Sequence, residues 1–190
     1  MTTNFRQYFS INPLSALFFI ALFSISTNTQ AKGNAEKLGD AIYIMSPVIA
    51  YGSTFYKDDP EGRMQFYKSI LTNTAVTFAL KYTVKKQRPN GENNRSFPSG
   101  HTSTSFQSAT FMHKRYGLKA AAPLYLGASY VAYSRVHSKN HDTTDVLAGT
   151  LIGGLSSYYF TSAYQTKKTF AQLSPLVSSD TLGVQLTAHW

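Results

Sequence analysis

The 190-residue chain contains no cysteine, which excludes a disulfide framework and any thiolate-held metal. The absence does not fix a compartment, because a cysteine-free chain serves in oxidising and reducing surroundings alike. Acids are scarce: 9 Asp and Glu stand against 18 Lys and Arg, giving a formal charge of +9 and a pI near 9.7. That balance favours an anionic partner, whether nucleic acid, an anionic membrane surface or a phosphorylated substrate, without choosing among them. Tryptophan occurs once, beside 13 Tyr and 13 Phe. Long apolar runs are also lacking. The best candidates, residues 38–51 and 146–160, are interrupted by Asp40, Ser46 and Pro47 and by Gly149, Gly153, Gly154 and two serines. Both are expected to be core helices rather than membrane spans. No internal repeat, low-complexity tract or linker divides the chain, and its 43% hydrophobic content suits one domain with a real core.

Residues 1–31 have the pattern of a secretory signal. Arg6 gives a thin positive flank, residues 13–25 a short apolar stretch, and Thr29-Gln30-Ala31 small residues at the cleavage positions. The stretch is shorter than the ~20 residues a membrane crossing needs; an uncleaved amino-terminal anchor is the alternative. The expectation is an exported, periplasmic protein, soluble or peripheral at the membrane, with residues 32–190 as its catalytic domain. Periodicity predicts helices over 35–56 with Pro47 as a kink, and from Pro60 to about Lys86 with Asp59 as cap. Phe66, Ile70, Leu71, Val76, Phe78 and Leu80 should supply the second helix's apolar faces. Further helices are expected from Ser99 to Gly117, over 118–137, and over 144–164, with residues 89–94 as loop. The runs 173–177 and 182–190 flank a turn and read as a hairpin. The fold class is therefore all-α, a bundle of five to six helices with a small C-terminal β-hairpin.

Three segments carry chemistry. In the first, Lys81 and Arg88 lie seven apart, on one face if the helix persists, and two cations on one face call for an anion between them. Alone, Lys81, Lys85, Lys86 and Arg88 read as well as a solvated charge run favourable to the helix dipole. In the second, Pro98-Ser99-Gly100-His101 opens a helix. Ser99 and Gly100 leave backbone N–H groups free for phosphate oxygens, Ser99 can cap or donate its hydroxyl, and His101 projects from the first turn as a general acid. An N-cap with an incidental surface histidine is the plainer alternative. In the third, His141 and Asp145 are four apart, so Asp145 can accept from one imidazole nitrogen and leave the other nucleophilic. Arg135 offers a planar fork for phosphate. Asp145 as an ordinary first-turn acid and His141 as a loop residue is the alternative. His137 reads as a surface residue and Asp142 as a cap; His113 and His189 have no nameable partner.

Taken together, the segments resemble the type 2 phosphatidic acid phosphatase family, which shares its site with class A acid phosphatases and vanadium haloperoxidases. The matching residues are Lys81, Arg88 and Pro89; Pro98 to His101; and Ser134, Arg135, His141 and Asp145. They span about a third of the chain. The resemblance implies a largely helical fold and a two-step phosphoryl transfer needing no metal or other cofactor. His141 would be the nucleophile forming a phosphohistidine, Asp145 its orienter, and His101 the acid that later activates water. Lys81, Arg88, Arg135 and the Ser99–Gly100 backbone would hold the phosphate oxygens.

The expected partner is a phosphorylated substrate, a phosphate monoester or diphosphate of a lipid such as phosphatidic acid, an isoprenoid diphosphate or lipid A. Tyrosine-rich helices and a basic surface that can dock peripherally on an anionic membrane favour a lipid. A broad-specificity soluble acid phosphatase is the alternative. A vanadate-dependent haloperoxidase fits the same cage, though the chain is small for one. A non-enzymatic binder of anionic lipid or nucleic acid is the third class; export disfavours nucleic acid, and a full set of nucleophile, orienter and acid exceeds what binding needs.

Overall fold

The computed structural model describes residues 31–165, 170–178 and 181–189, so the predicted signal over residues 1–31 lies almost wholly outside the described residues. Five helices follow in order: α1 (Ala31–Tyr56), α2 (Pro60–Val84), α3 (Gly100–Tyr116), α4 (Leu118–His137) and α5 (Thr143–Phe160). Strands β1 (Phe170–Ser178) and β2 (Thr181–His189) pair antiparallel from Phe170 opposite His189 to Ser178 opposite Thr181. This is the expected all-α bundle with its terminal hairpin.

The boundaries have local causes. Asp59 caps α2 by accepting from the Gly62 N–H at 2.9 Å, with Pro60 at the first helical position. Lys85, in the left-handed region at φ 48°, stops α2 before Arg88, so the expected common helical face of Lys81 and Arg88 does not exist. Gly117, at φ 90°, breaks the chain between α3 and α4. Asp142 caps α5 in a reciprocal box with Asp145. α5 also ends earlier than expected, at Phe160. Thr161 is extended, and the buried Arg115 guanidinium draws in the Ser162 and Ala163 carbonyls while Tyr164 N–H donates to the Arg115 carbonyl.

α3 is the axis, touching each of the other four helices, which ring it in the order α1, α2, α5, α4. At one end an apolar cluster of Ala50, Phe66, Ala109, Phe111, Met112, Ala121 and Leu124 surrounds it. Towards the other end the interior is small and polar. Gln107 donates to Ser69 Oγ at 2.7 Å, Ser157 Oγ donates to the Gln107 carbonyl at 2.6 Å, and Thr77 meets Ser103 at 3.2 Å. The expected apolar faces are thus partly reversed. Phe66 is buried, but Ser69, Asn73 and Thr77 form the inward stripe of α2 while Leu71, Val76 and Phe78 face outward. α5 does the same: Gly149, Gly153, Ser156 and Ser157 face in, and Leu147, Leu151 and Leu155 are exposed.

Small residues permit this because α3 and α5 meet backbone to backbone. A Cβ on Gly153 would lie 2.0 Å from the Ser103 carbonyl oxygen, and one on Gly149 2.6 Å from that of Ser99. Gly154, one position along, meets only Thr110 Oγ1 at 3.8 Å. Gly153→Ala is therefore expected to destabilise the fold by about 1–3 kcal/mol through overpacking, with Gly154→Ala close to neutral. Urea midpoints of the two variants check this, and equal effects would refute the close-packing account.

Candidate active site

The end of α3 that carries Gly100 gathers the predicted residues from α2 and the loop after it, from α4, and from the start of α5 with the turn before it. Ser99 is the N-cap of α3, and the first helical bond is Ser103 N–H to the Ser99 carbonyl at 3.0 Å. The N–H groups of Gly100, His101 and Thr102 precede that bond and have no intrahelical acceptor. Ser99 makes no side-chain cap; its hydroxyl meets Thr102 Oγ1 at 3.0 Å instead. Its own N–H donates to the Asp145 carbonyl at 2.9 Å, which joins the second segment to the third.

Lys81 reaches over this turn from α2. Its Nζ donates to the carbonyls of Pro98 at 2.6 Å and Arg95 at 3.0 Å. Burial, with the Arg88 charge beside it, pushes its ammonium down to about 8, against the pull of Asp145. Arg88 arrives from the loop after α2, 3.4 Å from Glu92, with its Nε buried and without a hydrogen-bond partner. Arg135, in the last turn of α4, is almost fully buried; its Nη2 donates to the Glu36 carbonyl and lies 3.0 Å from Asp40 Oδ1.

The two histidines occupy different depths. His141 is 3% exposed, whereas His101 keeps 36% of its side chain accessible. His141 Nδ1 lies 3.5 Å from Asp145 Oδ2, a contact longer than a hydrogen bond, because other donors already load that carboxylate. Ser96 Oγ and the Asp142 N–H donate to Oδ2, and Lys86 Nζ donates to Oδ1 at 2.9 Å. Burial holds His141 down at about 4, helped by Lys81 and Arg88 and opposed by Asp145 and the Ser96 main chain. His101 is also held at about 4, by burial and by Arg135, Arg88 and Lys81, with Asp40 opposing. Near neutral pH both imidazoles are therefore neutral. One can attack, and both can take up a proton once an anion joins the cations.

All eight predicted site residues thus converge, including Ser99 and Gly100. Others were missed or misread. Lys86 is no solvated charge: it bridges Asp142 at 2.5 Å and Asp145, which raises its own affinity for a proton and holds Asp142 down at about 2. Ser96 sits under Asp145. Glu36, Asp40 and Tyr43 come from α1, on one face by their spacing, but no sequence signal tied that helix to the site. His137 stacks on Tyr133 at the surface, as expected, and His113 meets the Tyr125 hydroxyl at 3.3 Å. His189 has no described side chain.

Residues 64–169 match the family model described as the PAP2 superfamily. A lipid A 4'-phosphatase from Helicobacter pylori is 31% identical over 159 residues, covering 78% of this chain and 79% of its own length. A lipid A 1-phosphatase from Porphyromonas gingivalis is 34% identical over 104 residues, 49% of this chain; the match spans only 23% of that longer protein. Among solved structures, Aquifex aeolicus LpxE superposes with a TM-score of 0.59 at 23% identity, over 76% of this chain and 93% of its own, a likeness of fold.

If the cage takes a dianion, binding must raise the affinity of its histidines for protons. Sulfate, which does not titrate near pH 5, is expected to bind with uptake of about half a proton or more, since an adjacent opposite charge raises a histidine by roughly 1–3 units. Calorimetry in buffers of different ionisation enthalpy measures this. Binding without proton uptake would mean the imidazoles do not face the anion.

Proposed function

The chain belongs to the PAP2 superfamily, and from that membership we propose that it is an exported phosphatase of lipid phosphate monoesters or diphosphates, acting through a phosphohistidine without a metal. The observation that carries this reading is the arrangement at the head of α3: a buried histidine with its carboxylate, a second histidine at the rim, three cations, and the unpaired N–H groups of a helix start. Lys81, Arg88, Arg135 and those N–H groups hold three phosphate oxygens and the charge that develops on them. Asp145 faces Nδ1 of His141, which leaves Nε2 to attack phosphorus. As the N–P bond forms, the bond to the leaving oxygen breaks, and His101 gives that oxygen its proton. His101 then takes a proton from water, whose oxygen attacks the phosphohistidine and releases inorganic phosphate and free His141. Depth gives the reaction a direction, since the nucleophile is buried and the acid lies at the mouth, where the leaving group emerges.

A lipid leaving group fits the exterior. Leu71 and Phe78 on α2, Leu147, Leu151 and Leu155 on α5, and Ile44, Val48 and Phe55 on α1 are exposed, around a largely polar interior. Among the described residues no helix is long and apolar enough to cross a membrane. Outward leucines and aromatics on this scale mark a surface that rests against something apolar, and a basic chain suits an anionic leaflet. The two Helicobacter and Porphyromonas relatives are named for a lipid substrate, which supports lipid A among the candidates.

Phosphate release by the purified protein should resist chelator and fall on the order of 10³-fold or more in His141→Ala. A panel of lipid A, phosphatidic acid, isoprenoid diphosphate and soluble monoesters ranks the substrates. Turnover that survives the substitution, or is lost with chelator, would refute the mechanism. Leu151→Glu should weaken co-flotation with anionic vesicles and leave hydrolysis of a soluble monoester unchanged; undiminished flotation would refute the lipid-facing surface.

A further inference from the structure

α1 lies outside the matched segment, which begins at residue 64, yet it enters the site. At Gly39 it lies so close to α4 that a Cβ would come within 2.1 Å of Ser134 Oγ and 3.2 Å of Arg135 Nη2. The next residue, Asp40, places Oδ1 3.2 Å from His101 Nε2 and 3.0 Å from Arg135 Nη2. One turn on, the Tyr43 ring covers the imidazole with centroids 4.1 Å apart. One turn back, Glu36 holds Arg135 through its carbonyl at 3.0 Å and accepts from Asn140 Nδ2 at 2.5 Å. This face of α1 grips both the rim histidine and the buried arginine.

A carboxylate beside a phosphate cage repels the substrate, so its position needs a compensating role. We propose that Asp40 is the positioning residue of His101, doing for the acid what Asp145 does for the nucleophile. This inference rests on the phosphohistidine reading above. Each imidazole then has its own carboxylate on one nitrogen, Nδ1 for His141 and Nε2 for His101. With Nε2 facing Asp40 Oδ1 at 3.2 Å, an ion-pair contact that lacks hydrogen-bond geometry, and the ring pinned under Tyr43, His101 has Nδ1 left to hand the proton to the leaving oxygen. Asp40 also keeps that proton available. Burial drives the proton off His101, and so do Arg135 from α4, Arg88 from the loop after α2 and Lys81 from α2; among the described residues Asp40, from α1, is the charge that opposes them. Without Asp40, His101 faces three cations unopposed.

The test is Asp40→Asn, an isosteric change at a half-exposed side chain, on two soluble phosphates. An alkyl phosphate needs its leaving oxygen protonated, whereas p-nitrophenyl phosphate does not. The variant should lose about 10–100-fold in kcat on the alkyl phosphate, a part of what general acid catalysis supplies. On p-nitrophenyl phosphate it should lose less than about threefold, because that ester bypasses the same step. The alkaline limb of its kcat profile should move to lower pH, since a general acid that loses its carboxylate gives up its proton sooner. Asp40→Glu should recover part of the alkyl phosphate activity, and the same pair of substrates can be read on it alone if Asp40→Asn does not fold. Equal losses on both substrates would overturn the proposal. So would unchanged kcat with a lowered KM, which would make Asp40 a mere competitor of phosphate. An inert wild type, or one indifferent to His141→Ala, would bring down the phosphohistidine reading and this inference together. An active, His141-dependent wild type with no leaving-group effect at Asp40 overturns the inference alone.

Discussion

The close approach of α3 and α5 is the constraint on which the site depends. Two helices touching through the Gly153 Cα and the Ser103 carbonyl leave no room for a side chain between them. That contact sets the heads of both helices side by side, and the Ser99 N–H closes the join on the Asp145 carbonyl at 2.9 Å. The turn at Ser99–Gly100 and the segment carrying His141 and Asp145 are distant in sequence, yet they are fixed to each other by backbone rather than by flexible side chains. Ser157 Oγ on the Gln107 carbonyl repeats the arrangement further down. Sub-ångström placement of a nucleophile against a phosphate cage is worth several kcal/mol of barrier, and backbone contact is the stiffest way to supply it.

Such packing has a consequence for polarity. Glycine and serine let helices meet closely but bury little apolar surface, so the mid-section is held by hydrogen bonds, each worth about 1 kcal/mol net. Larger apolar side chains are pushed to the outside of α2 and α5 or gathered at the end away from the site. There a second buried device ties the termini of the helices. Arg115 donates to Asp59 at 2.7 and 2.5 Å, and the Tyr116 hydroxyl donates to Asp59 at 2.8 Å. Burial opposes the Asp59 charge, but Arg115, the Gly62 N–H and Tyr116 overcome it and hold the carboxyl below its usual range. The stability this contributes is complete above the ordinary carboxylate range and fades as pH falls through the depressed value.

Sequence reasoning reached the motif residues because their chemistry is local. Ser99 before Gly100, Asp59 before Pro60 and Asp142 before Asp145 are cap signals written within four residues; each takes the N-cap position, Asp59 and Asp142 with a side-chain bond and Ser99 without one. It placed Arg88 on a helix that stops at Val84, since the left-handed turn at Lys85 has no strong residue preference to announce it. It named Leu71, Val76 and Phe78 among the residues of the apolar faces of α2, and these turn outward. Periodicity locates an apolar face but not the direction in which that face points, and only the small-residue stripe of Ser69, Asn73 and Thr77 could have indicated the reversal. Asp40 and Lys86 were out of reach for another reason. Their partners lie on other elements, so their roles exist only once α1 rests on α4 and the loop after α2 folds against α5.

The electrostatics of the site follow from where Asp40 and Lys86 sit. Lys81, Arg88 and Arg135 suffice to attract a dianion, but burial, helped by Lys81 and Arg88 at both histidines and by Arg135 at His101, also holds both imidazoles at about 4, far from the protonated form an acid must have. The deep carboxylate, Asp145, is shared with Lys86 and Ser96, which mutes its pull on His141. His141 therefore stays neutral, as the attacking nitrogen of the proposed mechanism must. The rim carboxylate, Asp40, faces His101 and Arg135, and among the described residues no lysine pairs with it. In the proposed mechanism two imidazoles of one kind are thus separated in role by the company of their carboxylates: Asp145, paired with Lys86, beneath the attacker, and Asp40, shared with Arg135, beside the acid. Substrate completes the division in that mechanism, because the arriving phosphate adds negative charge between the two imidazoles and offsets the Arg135 charge that Asp40 also faces, which leaves His101 the better placed to take the proton.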